Sequence, residues 1–389
     1  MNYPSAYIAF LAVTMASLSV SQPLLAADIK GSVTTQWLHF PDSEPENHSF
    51  GRSVTLELEA YHRFDNNVEF VGDGILRMDD KDAGRRRLDA QEAYLKSTFA
   101  DTDFFIGNRQ VFWGKAESRN IVDVINQRDT AANTGQTEKI GATSLSAEGF
   151  IADAEWQVFY LPAFTEQTSH DPDAHPSAGL RSAAVLFSRK DGRDADDFAA
   201  RISSYSGNWD YALSGFYGTA REPLRSVTSA GMLQPRYVMQ RSVGLEGQYT
   251  SDEVLVKFEG LVGVQGSSDF SALVTGIEKT FYAVGSTKWD AGLISELQFD
   301  DRPQAADELF GVAGVRLTLN DTQDTSLLML YSSDREHDQT LTSLEASRRL
   351  TDAVLLVVNA SFFNARTPSS SFGMLSDDDQ LSAQLKWFF

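Results

Sequence analysis

The end of the chain constrains the fold most, because its residues alternate between apolar and polar up to an aromatic C-terminus. One face of this stretch holds Leu381, Ala383, Leu385, Trp387 and Phe389, the other holds Ser382, Gln384 and Lys386, and only Phe388 breaks the alternation. Successive side chains of a β-strand point to opposite faces. The stretch therefore predicts a strand whose apolar face is covered, either by the core of a soluble sheet or by lipid.

The same alternation recurs along the chain, notably from Val54 to Tyr61, from Val254 to Val264 and from Trp289 to Phe299. Turn-forming residues separate such segments. Short turns are predicted at Asp65 to Asn67, Ala100 to Asp103, Glu148 to Gly149, Ser206 to Asn208, Thr250 to Asp252, Gly285 to Thr287, Asn320 to Gln323 and Leu350 to Asp352. Longer connections are predicted at 41–50, 80–85, 114–137, 163–195, 220–235, 265–269, 301–308, 335–338 and 366–377.

Strict alternation of short and long connections is typical of a transmembrane β-barrel, with periplasmic turns, extracellular loops and both termini in the periplasm. The pattern predicts an all-β, antiparallel barrel of 18 strands built from the 389-residue chain. The segment from Arg181 to Phe187 fits either a strand or part of a long loop. Because other short segments can merge, 16 strands stay open as an alternative.

The first residues predict export. An apolar run from Tyr7 to Val20 is followed by Pro23 and by Ala26 and Ala27, after either of which cleavage is expected, although no Lys or Arg precedes Tyr7. Beyond this run no stretch approaches the ~20 consecutive apolar residues of a membrane helix. We therefore expect a signal peptide at 1–27 and one barrel domain at 28–389, located in the outer membrane of a Gram-negative cell.

Composition removes several classes of function. The chain has 54 acidic and 33 basic residues, a net charge of −21 and no cysteine. Binding to nucleic acid is therefore not expected, and disulfides, thiolate metal sites and cysteine nucleophiles are excluded. The six histidines lie mostly in or next to predicted loops without an evident catalytic partner, so we expect neither an enzyme nor a cofactor or metal.

The predicted lumen is mixed in charge and mainly acidic. The alternation along each strand, called parity below, assigns these charged residues to the inward face: Glu57, Glu59, Glu69, Asp73, Arg77, Glu92, Lys96, Lys257, Glu259, Asp290 and Glu296. A barrel of this size is too wide for its side chains to fill, so it encloses either a channel or a plug.

The loop predicted at 114–137 is the candidate constriction. Its charged residues surround an apolar centre, Ile121 to Ile125, which must be covered, so we expect the loop to fold into the barrel; a loop that only caps the rim is the alternative. The candidate constriction or lumen residues are Arg109, Trp113, Lys115, Glu117, Arg119, Asp123, Asn126, Arg128, Asp129, Lys257 and Glu259.

Three stretches carry resemblances. The C-terminal strand with Leu385, Trp387 and Phe389 resembles the terminal strand of outer-membrane barrels, which the barrel-assembly machinery recognises, and its aromatic residues are expected in the periplasmic girdle. RQVFWGKAESRNIVDVINQRD from Arg109 to Asp129 and LTLNDTQDT from Leu317 to Thr325 resemble a family of porin-like outer-membrane proteins of undefined substrate. Related families are often associated with RND-type exporters and periplasmic lipid-carrier-like proteins.

These observations favour a passive channel for ions or small solutes, in contact with outer-membrane lipid and lipopolysaccharide. The alternative, implied by the resemblance, is a conduit that works with an RND-type exporter to move a lipid or other hydrophobic molecule. A structural or adhesive barrel that binds a surface partner through Pro162 to Asp194 is a third class, without a specific feature in its favour.

Overall fold

The computed structural model describes residues 28–41, 49–64, 67–133, 136–175, 181–305, 308–334, 336–366, 372–375 and 378–389. The predicted signal peptide at 1–27 lies outside these residues. Short 3-10 helices cover Ala83–Arg85, Gly192–Asp194, Val284–Ser286 and Gly373–Leu375. No helix in the described part of the chain is long and apolar enough to cross a membrane.

The described chain forms a barrel of 18 strands, as predicted, and the alternative of 16 is wrong. The barrel strands are β1 (Asp28–His39), β2 (Phe50–Arg63), β3 (Val68–Asp79), β4 (Arg87–Phe99), β5 (Thr102–Arg109), β8 (Ala142–Ile151), β9 (Ala154–Leu161), β11 (Asp197–Ser206), β12 (Trp209–Thr219), β15 (Met239–Thr250), β16 (Val254–Gln265), β17 (Ser268–Phe281), β18 (Asp290–Asp300), β19 (Glu308–Thr318), β20 (Ser326–Asp334), β21 (Gln339–Thr351), β22 (Val354–Ala365) and β23 (Gln380–Phe388). The remaining strands are β6 (Gln127–Asn133), β7 (Gln136–Ile140), β10 (Leu186–Phe187), β13 (Leu224–Val227) and β14 (Leu233–Tyr237).

Antiparallel pairing of β1 with β23 closes the barrel. The register runs from Ser32 opposite Phe388 to His39 opposite Leu381. The Phe389 N–H donates to the Gly31 carbonyl at 2.9 Å, and the Gly31 N–H donates to the Phe389 carbonyl at 3.0 Å. In the described chain, closure leaves no edge of the barrel sheet unpaired, which a sheet in lipid requires.

The outward face of the barrel is apolar. Ile106, Leu213, Leu245, Val262 and Leu293 alternate with inward residues on five strands, and each is about half exposed. An apolar surface that surrounds the whole barrel would be very unfavourable in water, whereas it matches a bilayer. The fold is therefore that of a transmembrane β-barrel.

Aromatic side chains border this apolar band at both ends. Outward aromatics at the end with the short turns are Phe99, Trp209, Phe281 and Trp387, and those at the end with the long loops are Trp37, Phe50, Tyr217 and Phe299. Such girdles lie at the two interfaces of a bilayer. Asp28, where the described chain begins, and Phe389 both lie at the end with the short turns.

The connections follow the predicted alternation with three differences. The turn predicted at Glu148 to Gly149 is wrong, because both residues lie within β8 and the chain turns at Ala152, with φ of 52°, and Asp153. Lengths do not alternate strictly: 266–267, on the long-loop side, has two residues, whereas 282–289, on the short-turn side, has eight. The segment from Arg181 to Phe187 belongs to a long loop, where β10 pairs with β14 outside the barrel.

Candidate functional site

The described residues of the connection between β5 and β8, 110–133 and 136–141, lie inside the barrel and are called the inner segment here. It turns back at Gly114, whose φ is +122°, and a Cβ on this residue would collide with Asn120. Because side chains other than glycine rarely adopt this conformation, Gly114 sets the sharp turn after Trp113.

An apolar cluster attaches the inner segment to the inner wall. Trp113, Ile121 and Ile125 are 1–2% exposed, and they pack with wall residues of β9, β11, β12, β16 and β17. The wall members are Phe159, Leu161, Ala199, Phe216, Leu261, Phe270, Ala272 and Val274. Burying one such aliphatic side chain contributes about 1.5–3 kcal/mol, so this contact is a large part of what holds the segment in place.

Two wall carboxylates bind the backbone of the inner segment. Glu259 of β16 accepts from the N–H groups of Lys115 at 2.6 Å, Ala116 at 2.8 Å, Ile121 at 2.8 Å and Val122 at 3.5 Å. Its side chain is fully buried. These bonds satisfy backbone donors that no secondary structure satisfies in a water-poor site.

Glu296 of β18 also accepts hydrogen bonds from the backbone of the inner segment, at the two residues that follow Lys115 and Ala116. It accepts from the N–H groups of Glu117 at 2.7 Å and Ser118 at 3.1 Å and from the Ser118 hydroxyl. The two carboxylates thus hold the chain from Lys115 to Val122 against β16 and β18, which lie on either side of β17.

The opposite wall binds the other end of the inner segment through arginines. Asp129, which is fully buried, pairs with Arg77 of β3 at 2.6 Å and with Arg87 of β4 at 2.7 Å. Arg85 donates to the carbonyls of Ala131 and Ala132. In the circular order of strands, β3 and β4 lie across the barrel from β16 and β18. The inner segment therefore crosses the lumen from wall to wall.

The charge of Asp129 is stabilised by its partners. Burial favours the neutral acid, but Arg77, the Thr168 hydroxyl and Arg87 outweigh burial and hold the pKa of Asp129 below its usual range. Elsewhere in the inner segment burial raises the pKa of Asp123, although Lys139 lies 2.6 Å away.

Charged pairs line the side of the inner segment that faces the remaining lumen. Glu117 lies 2.8 Å from Arg316 and 3.5 Å from Lys257. Arg119 pairs with Asp300 at 2.9 Å. These ion pairs connect the inner segment to β16, β18 and β19.

A small cavity of about 20 Å³ lies where the inner segment meets two outer loops, and Glu222 is one of the residues that line it. Burial alone would raise the pKa of Glu222, yet Arg302, Arg119 and Arg128 lower it to about 2. Gln304 donates to the same carboxylate at 3.4 Å. The contact seals the inner segment to the loops above it.

The loop between β9 and β11 packs over the inner segment. Thr168 donates to Asp129 at 2.5 Å, and Gln127 donates to the Thr165 carbonyl at 3.2 Å. Further out, His170 Nδ1 lies 2.6 Å from Asp82, which joins this loop to the loop between β3 and β4. The outer entrance is therefore built from loops that contact one another.

The structure places the remaining candidates in the same assembly. Arg109 lies on the inward face of β5, 3.6 Å from the Phe105 ring centroid, and Trp113 Nε1 donates to Gln157 at 3.2 Å. Asn126 bridges the segment by accepting from the Val111 N–H at 2.7 Å and donating to two carbonyls. Leu385, Trp387 and Phe389 lie apart from it, on the outward face.

Several contact residues are missing from the predicted set: Arg77, Arg85, Arg87, Glu222, Glu296, Asp300, Arg302 and Arg316. The alternation of residues along the strands predicts that Arg77 and Glu296 face inward. The three consecutive arginines from Arg85 to Arg87 could also have indicated a binding site for carboxylates and carbonyls. Among the described residues no group of three or more His, Asp or Glu side chains is arranged to hold a metal ion.

The chain matches no protein-family model and no curated protein. Its structure is similar to Wzi of Escherichia coli, described as an outer membrane protein involved in group 1 capsule assembly and as a carbohydrate-binding β-barrel (TM-score 0.55, 13% identity, covering 93% of this chain and 85% of Wzi). It is also similar to a variant of the Rh. blastica porin (TM-score 0.48, 12% identity, 93% and 100% covered) and to a loop-deletion variant of OmpT of Vibrio cholerae (TM-score 0.47, 10% identity, 93% and 99% covered). The likeness to Wzi shows the fold of an outer-membrane β-barrel.

Proposed function

We propose that the protein is a passive diffusion channel of the outer membrane, with its narrowest point beside the inner segment. The observation that carries this proposal is that the segment crosses the lumen but leaves part of it open to water. Glu345, on the inward face of β21, is exposed, and the side chain of Arg316 is 37% exposed. Solutes would pass between the inner segment and this part of the wall.

The charge of the passage favours the transport of cations and neutral solutes over that of anions. Inward acids such as Glu59, Asp73 and Glu278 outnumber the inward bases near them, and Lys257 and Arg316 are already engaged by Glu117. An acidic, wetted wall favours cations electrostatically and opposes anions. We expect weak cation selectivity.

The second candidate is a conduit that works with an RND-type exporter and passes a lipid or another hydrophobic molecule. The wall-to-wall anchoring of the inner segment through Asp129 and Glu259 favours it, because such anchoring suits a lumen that opens only with a partner. This candidate predicts a barrel that carries no current by itself. Delivery by a cleaved signal peptide at 1–27, insertion by the barrel-assembly machinery, and contact with lipopolysaccharide are parts of both proposals.

The test is the conductance of the refolded chain in a planar bilayer, compared with a variant that lacks residues 116–130. Deletion of residues 225–236, which contain most of β13 and β14 in the outer loop between β12 and β15, serves as the control. Stable cation-selective openings that widen only in the first variant support the channel. A silent protein that conducts after the first deletion supports the exporter-linked conduit, and firm anion selectivity would contradict the proposed channel.

A further inference from the structure

An apolar strip lies on the inward face of four neighbouring strands, β18 to β21. It consists of Ile294, Val312, Leu328, Leu330 and Leu341. The register aligns Ile294 and Leu330 with Gly314 between them, and it places Ser332 between Val312 and Leu341. A Cβ on Gly314 would meet the Leu330 side chain and the Cβ of Ile294, so these two side chains converge over the glycine. Ile294 and Leu330 therefore form one apolar surface over Gly314, whereas Ser332 interrupts the strip between Val312 and Leu341.

The strip also continues towards the outer loops. Phe363 faces Leu341 across β21 and β22, and Phe310 lies two residues from Val312 on the same face of β19. The Phe372 ring joins them, with its centroid 5.2 Å from that of Phe310 and 5.9 Å from that of Phe363. From Phe310 to the level of Leu328 the strip spans about 20 Å, at about 3.3 Å per residue along a strand.

The strip is not part of the core that holds the inner segment. In the described chain, the apolar cluster of that segment contains wall residues of β9 to β17 and none from the strip. Leu328, Leu330 and Leu341 are partly exposed on the lumen side. Aliphatic side chains facing water are unfavourable, and burial of each methylene of a ligand against them gains up to about 0.8 kcal/mol.

An acidic side chain, that of Glu345, lies beside the strip. Glu345 is the register neighbour of Leu328 and is exposed to the lumen. Arg316, the nearby base on β19, is engaged by Glu117 at 2.8 Å and by Glu278 at 3.4 Å. The charge next to the apolar surface is therefore complementary to a cation.

We propose that this strip binds small cationic amphiphiles, whose alkyl or aromatic face lies against Leu328, Leu330 and Leu341 while the cationic group lies near Glu345. The inference deepens the proposed channel function, on which it rests, because it names the class of solute that the passage prefers. The inner segment supplies the other, polar side of the passage through Glu117 and Ser118.

The test uses single channels in KCl exposed to tetramethylammonium, butyltrimethylammonium and hexyltrimethylammonium. We expect the residence time of the blocked state to grow with chain length, by up to about fourfold for each added methylene. The Leu330→Ser variant should reduce this growth several-fold. Val71→Ser is the control, since Val71 also faces inward but lies on β3, away from the strip.

A residence time that does not depend on chain length, or that falls equally in both variants, would overturn the proposal. Tighter binding of hexanoate than of hexyltrimethylammonium would also overturn it, because the strip would then not select cations. If the barrel carries no current, the proposed channel function is contradicted. Binding of cationic amphiphiles to the strip is then tested by saturation-transfer NMR with the protein in nanodiscs. It should detect butyltrimethylammonium more strongly than tetramethylammonium in the native chain and the Val71→Ser variant, but not in Leu330→Ser.

Discussion

Glu259 shows how one wall residue controls the inner segment. Its carboxylate accepts four backbone N–H groups, whereas the amide of a Glu259→Gln variant offers one oxygen and turns an NH₂ group towards the other donors. Hydrogen bonds to a charged group contribute about 1.5–3 kcal/mol each, so we expect a net loss of about 3 kcal/mol in the docking of the segment. Single-channel recording should show larger open levels about 100-fold more often.

Glu59→Gln is the matched control. Glu59 also faces inward, from β2, and no described contact joins it to the inner segment. Equal behaviour of the two variants would mean that the lumen charge, not the docking of the segment, sets the conductance.

Substitution of Asp129 should weaken the attachment of the inner segment to β3 and β4. Asp129→Asn leaves Arg77 and Arg87, which are 4% and 9% exposed, without their shared carboxylate. Removal of one partner from a buried pair costs about 3–5 kcal/mol. We expect trypsin to cut folded barrels of this variant at Lys115 or Arg128 while the native segment resists. Asp103→Asn, which breaks the pair with Lys96 near the short turns, should remain resistant; cleavage of both variants would show general loosening.

The sequence could predict that the inner segment is covered but not what covers it. The apolar run from Ile121 to Ile125 indicated burial, because such a patch is unfavourable in water. Its partners, such as Leu261 and Phe270, could not be found in this way. Parity says which face a strand residue takes, whereas the wall that a loop reaches depends on distances across the whole barrel. The role of Glu259 as an acceptor for backbone N–H groups was hidden for the same reason.

At the scale of elements, β23 decides whether the barrel closes. The paired hydrogen bonds between Phe389 and Gly31 end the seam, and the Trp387 and Phe389 rings lie 5.2 Å apart on its outer face. Removal of Trp387 to Phe389 exposes backbone groups of β1 in lipid, where each unsatisfied group costs several kcal/mol. We expect the folded fraction in lipid vesicles to fall several-fold, as measured by heat-dependent gel mobility. Phe362→Ala, which removes an outward aromatic away from the seam, should fold almost normally.

Strands were easier to predict than turns. Alternation located β2, β16 and β18 because their inward and outward faces meet different environments. The turn after β8 was misplaced because Gly149 is a common turn residue, whereas the chain uses Ala152 with a positive φ. Turn chemistry permits several residue types at such positions, so composition alone does not fix the boundary.

At the scale of the whole molecule, acid should release the inner segment before it unfolds the barrel. The pKa of Glu222 is about 2 and that of Asp129 is below its usual range, because arginines from several loops and strands stabilise both carboxylates. A carboxyl with a lowered pKa stabilises the docked state above its undocked value of about 4 and loses this contribution as the pH falls through the docked value. Asp123, whose pKa is raised by burial, acts in the opposite direction.

We therefore expect the inner segment to undock between about pH 4 and pH 2. Pepsin, which is active in this range, should leave folded barrels intact at pH 4 and cut near Phe112 and Trp113 at pH 2. A variant with Ser118→Cys and Gln298→Cys, bridged by a short bifunctional thiol reagent, should resist at both pH values, because these side chains are hydrogen-bonded across the contact and the chain has no other cysteine. Resistance of the unbridged protein at pH 2 would mean that the apolar cluster around Ile121 holds the segment without its charges.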